Sequence, residues 1–242
     1  GNYGSTAIEG GSPTVEDCLF ENNGGDGQTI RGFPTLRRCV FRGNHGYEGA
    51  AMRLWGGHVE DCVIVSNGNG EGAGGAVFVE SLTPVVFERC LIAGNTNATN
   101  NGQYPAFGAG LTVGGSAPAI LVNCTIVGNS FDVPNIYGYT DNGGIYGEVV
   151  LVNCIVRGNA GEQFQAASTT ALYSNIEGGL AGTGNFDADP LFRDALTGDF
   201  HVLPGSPCID AGSPSSPFDF DESRADVGAL AFTHALATPR NG

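Results

Sequence analysis

Seven cysteines, four histidines and nine acids between Asp187 and Asp226 are the residues of this 242-residue chain with the most chemistry to offer. Cysteines can pair as disulfides, ligate a soft metal or attack as thiolates. Asp219, Asp221 and Asp226 are candidates for gathering Ca2+, which needs about six oxygens at short range; the competing reading is capping by Asx turns with an ion pair from Arg224. A polysaccharide hydrolase would need two carboxylates about 5–10 Å apart, and a lyase a carboxylate-held Ca2+ with a basic residue. His45, His58, His201 and His234 stand in unrelated contexts. Two Asn- and Gly-rich stretches, 96–107 and 130–142, carry Tyr104, Phe107, Phe131, Tyr137 and Tyr139, rings suited to stacking on a sugar or meeting another protein.

The surroundings of six cysteines decide their role. VEDCLFENN at Cys18, LRRCVFRGN at Cys39, VEDCVIVSN at Cys62, FERCLIAGN at Cys90, LVNCTIVGN at Cys124 and LVNCIVRGN at Cys154 are one unit repeated. Each has an apolar residue three before the Cys, another two after it, and an Asn five after it: Asn23, Asn44, Asn67, Asn95, Asn129 and Asn159. Successive cysteines lie 21, 23, 28, 34 and 30 residues apart, a period in the solenoid range. Between copies stands a second short apolar stretch after a Gly or Asn cluster, such as GAAMRL from Gly49 and GGAVFV from Gly74. Each repeat therefore holds about three short strands separated by turns, none long or amphipathic enough to be a helix.

A unit of this size cannot bury its inner face alone, and stacking successive units in parallel does so. The expected fold is all-β: a right-handed parallel β-helix of about seven to eight coils over residues 1–180, with an irregular capping segment over 181–242 packed on it. Coils in such a stack sit about 4.8 Å apart, so like residues fall over one another. The asparagines then form a hydrogen-bonded ladder at a bend. The cysteines form an inward column whose parallel Cα–Cβ vectors disfavour disulfides, and no Cys-x-x-Cys or paired-His spacing supports a metal. If Cys and the residue two beyond it point inward, the one between points out. That column, Leu19, Val40, Val63, Leu91, Thr125 and Ile155, is apolar enough to need a cover, from the C-terminal segment folding back or from a neighbouring subunit.

Composition narrows the function classes. Forty glycines and only 14% charged residues exclude a typical helical enzyme, since ordinary domains run at about 7% Gly and 25% charged. The net charge is −15, all ten basic residues are Arg, and there is no Lys. That balance argues against nucleic acid and anionic membranes as partners. No apolar run approaches the roughly 20 residues that cross a bilayer, so no membrane insertion is expected. With neither a leader before Gly1 nor an anchor after Gly242, the chain reads as a processed or excised piece.

The repeated N-C-x-I-x-G-N unit resembles the right-handed parallel β-helix repeat proteins of bacterial surfaces and secretions. The stretch DPLFRDALTGDFHVLPGSPCIDAGSP from Asp189, with DFDESRADVGA from Asp219, resembles the cap region that follows such repeats in anchored surface proteins. The usual Asp-x-Asp-Gly of that region is Asp219-Phe220-Asp221-Glu222 here. The resemblance implies an extracellular or cell-surface location. The function expected is that of a non-catalytic structural or adhesive protein, self-assembling with copies of itself through coil ends or the apolar stripe into a filament or sheath. The alternative is a polysaccharide-binding or polysaccharide-cleaving protein using the aromatic loops. No cofactor is expected, Ca2+ being the one candidate.

Overall fold

Three short strands per repeat become three sheets. The computed structural model describes residues 6–25, 27–69, 74–97, 107–131, 142–164 and 169–233, and each of seven coils lays one strand on each sheet. The first sheet takes the Gly-rich strands, from Ile8–Glu9 through Ile30–Gly32, Met52–Leu54 and Val77–Val79 to Glu162–Phe164. The second runs from Thr14–Glu16 to Thr169–Leu172, just before each Cys position, and the third from Leu19–Glu21 to Asn175–Ile176, just after it. Within all three sheets the strands pair in parallel, coil on coil. A fourth sheet of four two-residue strands follows the Asn positions, His45–Gly46 to Ser130–Phe131. The all-β, right-handed parallel β-helix expected from the repeats is the fold observed, parallel crossovers being right-handed.

Two left-handed residues per coil make the corners. The residue before each Cys position has positive φ: Asp17 54°, Arg38 51°, Asp61 52°, Arg89 50°, Asn123 50°, Asn153 55° and Tyr173 50°. A second set lies just before each ladder Asn, with Asn22, Gly43, Ser66, Gly94, Gly128 and Gly158 between 53° and 63°. Left-handed backbone costs an L-residue about 1–2 kcal/mol, and Gly and Asn least. The Gly-Asn pair of the repeat is therefore a corner followed by a ladder rung. A different need fixes Gly75, where a Cβ would lie 1.9 Å from the carbonyl oxygen of Ala109 in the next coil.

Inside the corners the core is built in columns. Ile30, Met52, Val77, Leu111 and Ile145 stack on the first sheet, and Leu36, Val59, Phe87, Leu121 and Leu151 on the second, all buried. On the third, Phe41, Ile64, Ile92, Ile126, Val156 and Ile176 are buried, with Phe20 stacked on Phe41 at 4.8 Å. Each such side chain contributes about 1.5–3 kcal/mol by leaving water. Five of the six repeat cysteines fill this interior, and Cys18, in the first coil, is exposed. Ser174 takes the Cys position of the seventh coil, its hydroxyl accepting the N–H of Cys154 at 3.0 Å. Asn185 follows above it, its Oδ1 accepting the Ser174 N–H at 3.1 Å.

From Asn44 to Asn129 the asparagine column is satisfied on all sides. The Oδ1 of Asn95 accepts the backbone N–H of Asn67 at 2.9 Å and its side-chain N–H at 3.0 Å, while Nδ2 of Asn95 donates to Oδ1 of Asn129 and to the Ile64 carbonyl. Asn44, Asn67 and Asn129 repeat the pattern. At the far end Asn159 donates to Oε1 of Gln163. At the near end Asn23 donates to Asn44, and nothing among the described residues donates to its Oδ1. Buried polar groups left unmatched cost about 1–3 kcal/mol each. Asn95→Ala should therefore lower unfolding free energy by about 3 kcal/mol or more, and Asn23→Ala by about 1 kcal/mol, compared by urea denaturation. Equal losses would refute the ladder's share of the stability.

Candidate functional site

The outward column of the third sheet changes character along the stack. Leu19 is 58% exposed and Val40 and Val63 are half-buried, whereas Leu91, Thr125 and Ile155 are buried. The cover is the chain's own C-terminal segment: Val202, Cys208 and Val227 are buried with Leu91, Val127 and Ile155 in a second apolar cluster, joined by Phe186, Phe192, Phe200 and Ile209. The corner asparagines hold this segment down. Nδ2 of Asn123 donates to the Asp226 carbonyl at 2.9 Å, Oδ1 of Asn153 accepts the Ser213 N–H at 2.6 Å, and the Thr125 hydroxyl accepts the Ala229 N–H at 2.9 Å. Gly228 passes so close that a Cβ would lie 2.7 Å from Ile155, and its φ is +112°.

The acidic segment serves the same docking. The carboxylate of Asp226 is buried and accepts the N–H groups of Asp210 at 2.8 Å and Phe232 at 2.5 Å, while Asp219 accepts the Asp226 N–H at 2.7 Å. Asp221 accepts the Ser223 N–H at 3.1 Å as an Asx turn. Among the described residues no three His, Cys, Asp or Glu side chains converge as a metal site requires. Arg224, expected in an ion pair, instead donates to the carbonyls of Gly212 and Ala211 and lies 5.7 Å from the centre of the Tyr173 ring. Among the described residues no carboxylate forms an ion pair with it. Burial, reinforced by neighbouring carboxylates, holds Asp219 and Asp226 above the ordinary carboxylate range.

Of the five loop aromatics, Tyr104, Tyr137 and Tyr139 fall outside the described residues. Phe107 packs on Tyr146 with ring centres 4.6 Å apart. Phe131 is half-buried, its backbone paired with Asn97.

A different aromatic surface lies on the outer face of the first sheet, where the second residue of each strand points out. Register stacks Glu9, Arg31, Arg53, Phe78, Thr112 and Tyr146. The Arg31 guanidinium lies 4.7 Å from the centre of the Trp55 ring and 3.6 Å from Glu9, and Phe33 tilts against Trp55 at 6.0 Å. One coil on, Arg53 lies 5.2 Å from the Phe78 ring and bridges Glu48 at 2.5 Å and Glu80 at 2.7 Å. Sequence reasoning did not single out Arg31, Phe33 or Trp55. Their common signal is the outward position of the Gly-rich strand and the turn just after it.

In the early coils charged side chains of the second sheet and its corner alternate in sign, although Glu60 and Glu88 fall in register further on. Glu60 holds Arg37 at 3.1 Å on one side and Arg89 at 2.5 Å on the other. Arg38 pairs with Asp17 and Arg89 with Asp61, both at 2.7 Å. Burial acts to raise Glu60, but Arg37 and Arg89 pull it below the usual range. The Arg38 guanidinium lowers Asp17, and Arg157 lowers Asp187. Burial pushes the thiols of Cys39, Cys124 and Cys208 up, which keeps them unreactive.

The family described as right handed beta helix region matches residues 1–178. No curated protein and no solved structure gave a match.

Two outcomes follow from the titrating groups. Cys18 alone of the seven cysteines is exposed, so a thiol reagent should modify one thiol per native chain, identified by peptide mapping, and the rest only on unfolding. Raised carboxyls favour docking of the C-terminal segment most fully below the unfolded carboxylate pKa of about 3.9, and that contribution is lost as pH rises through the folded values. Asp17 and Asp187 act oppositely, losing theirs as pH falls through their lowered values. Backbone exchange protection at Val227 and Gly228, relative to Ile126 in the coils and corrected for intrinsic rates, should rise between about pH 7 and pH 4. A fall would contradict the raised values.

Proposed function

The chain belongs to the right-handed β-helix family, and from that premise we propose that it is a non-catalytic adhesive protein of the cell exterior whose first sheet lies against a neutral polysaccharide. The observation that carries the reading is Trp55, in the turn just after the strand Met52–Leu54 and flanked by Arg31 and Phe33. Aromatic faces take the apolar side of a sugar ring, and arginine with carboxylate partners offers donors and acceptors to its hydroxyls. One coil further, Arg53 with Glu48 and Glu80 repeats the polar set, which suits an extended chain lying along the stack. The charge of −15 disfavours a polyanionic glycan.

Absence of catalysis is part of the proposal. A glycosidase acid gives its proton to the leaving oxygen, whereas the carboxylates of this face, Glu9, Glu48 and Glu80, are engaged by arginines. The two raised carboxyls, Asp219 and Asp226, face backbone N–H groups in the C-terminal segment. Self-assembly through the apolar stripe has only its first coils to act through, since the C-terminal segment occupies the rest.

Trp55 is the chain's one tryptophan, so its fluorescence reports directly. Titration with neutral oligosaccharides should shift that emission saturably, and Arg31→Ala and Trp55→Ala, the latter followed by calorimetry, should weaken affinity about tenfold or more. Phe220→Ala, at a residue 99% exposed in the C-terminal segment, should leave it unchanged. No response to any neutral glycan refutes the binding surface, and release of reducing or unsaturated ends would make the protein an enzyme.

A further inference from the structure

The aromatic residues of the C-terminal segment fall into two groups. Phe186, Phe192 and Phe200 pack into the apolar seam of the third sheet. Phe218 and Phe220 take no part in that cluster and are 75% and 99% exposed, although the turn that carries them is held in place. Asp219 N–H donates to the Ser223 carbonyl at 3.1 Å, Glu222 N–H donates to the Asp219 carbonyl at 3.0 Å, and the Asp219 carboxylate accepts the Asp226 N–H at 2.7 Å. With Pro217 and Ala225 the two rings line one side of a groove of about 280 Å³. The other side is the edge of the second sheet, where the strands Val85–Glu88 and Ala119–Val122 run in register and set Val122 over Glu88, with Arg89 and Asn123 at the corner.

The charges say what fits there. Two carboxylates line the groove, Glu88 and Asp219, and Asp210, Asp221 and Asp226 stand close enough to Asp219 to help burial raise its carboxyl. Among the described residues that line it, Arg89 is the only guanidinium. It is turned to the preceding coil, where it holds Asp61 at 2.7 Å and Glu60 at 2.5 Å, and it reaches Glu88 only at 3.8 Å. His58 Nε2 lies 3.6 Å from Glu88. A metal ion does not suit these walls, because hard cations give up water only to several oxygens and no three His, Cys, Asp or Glu side chains converge among the described residues. An ammonium that carries methyl groups does suit them. Its methyls meet Val122, Pro217 and Ala225, and its charge meets ring faces and carboxylates.

We propose that this groove binds a small quaternary ammonium group of the choline type, with Phe218 and Phe220 supplying the ring faces and Glu88 and Asp219 the countercharge. The size agrees: drug-sized ligands occupy about 300–1,000 Å³, and a groove of about 280 Å³ admits a headgroup. The site lies apart from Trp55 and does not depend on glycan binding.

Choline is titrated into the full chain, and binding is read from saturation transfer to its methyl protons. Binding should saturate, and the neutral isostere in which carbon replaces the nitrogen should bind about tenfold more weakly or worse. Phe218→Ala with Phe220→Ala should lower affinity about tenfold, and Glu88→Gln about threefold or more, each with native circular dichroism. Leu196→Ala, at a fully exposed residue of the same segment, should bind like the wild type. Sedimentation with phosphatidylcholine vesicles then distinguishes the source of the group: cosedimentation that choline reverses assigns it to a lipid headgroup, and its absence assigns it to a free solute. Three results would each overturn the proposal: no saturable binding of choline, equal affinity for the neutral isostere, or full affinity after loss of both rings.

Discussion

Each coil of this protein lies directly on the next, so every outward or inward position has a near-copy of itself about 4.8 Å away. Only side chains that tolerate their own likeness, or whose neighbours answer them, can occupy a column. Asparagine qualifies because one amide holds both a donor and an acceptor, and here all of its capacity is used between Asn44 and Asn129. Aliphatic residues qualify without condition. Single charges do not, since like charges directly opposed are destabilising. The low charge content and the alternation of Glu16, Arg37 and Glu60 are two answers to that one constraint. Where two arginines do fall in register, Arg31 and Arg53, each rests near an aromatic ring and is matched by its own carboxylates.

The same constraint creates the problem that the C-terminal segment answers. A column between two inward positions is outward in every coil, and five apolar residues with Thr125 make a long seam there that needs a cover. Arginine and acid corners occupy the early coils, whereas the later corners, Asn123 and Asn153, are neutral and offer free amides. The segment docks where those amides are, with Asn153 accepting from Ser213 and donating to Ser216. The change from charged to amide corners and the change from open to covered seam fall in the same region of the stack.

Much of this was legible in the sequence because the repeat is written in residues with few alternatives: Cys in the core, Gly then Asn at the corner. The seventh coil was not, since Ser174 replaces Cys and Gly179 stands where Asn would be. The sequence left open which cover the apolar column has, because apolarity specifies burial but not the burier. The pairing of Arg31 with Trp55 was hidden for another reason. Those residues are 24 apart, and only the exact register of two coils sets one over the other. Arg224 misled through proximity to Asp221 and Asp226 in sequence, when the turn between them points the carboxylates at backbone N–H groups.

The alternating corner Asp17, Arg38, Asp61, Arg89 gives way to Asn123 and Asn153, and this bears on how such a chain can lengthen over generations. Losing or copying one unit in the charged half brings equal signs together at the seam, whereas losing or copying two restores the order. Changes by two units are therefore the ones that the charge pattern there tolerates. In the amide half a single unit can be gained or lost with no such penalty, so that half is the freer to vary in length.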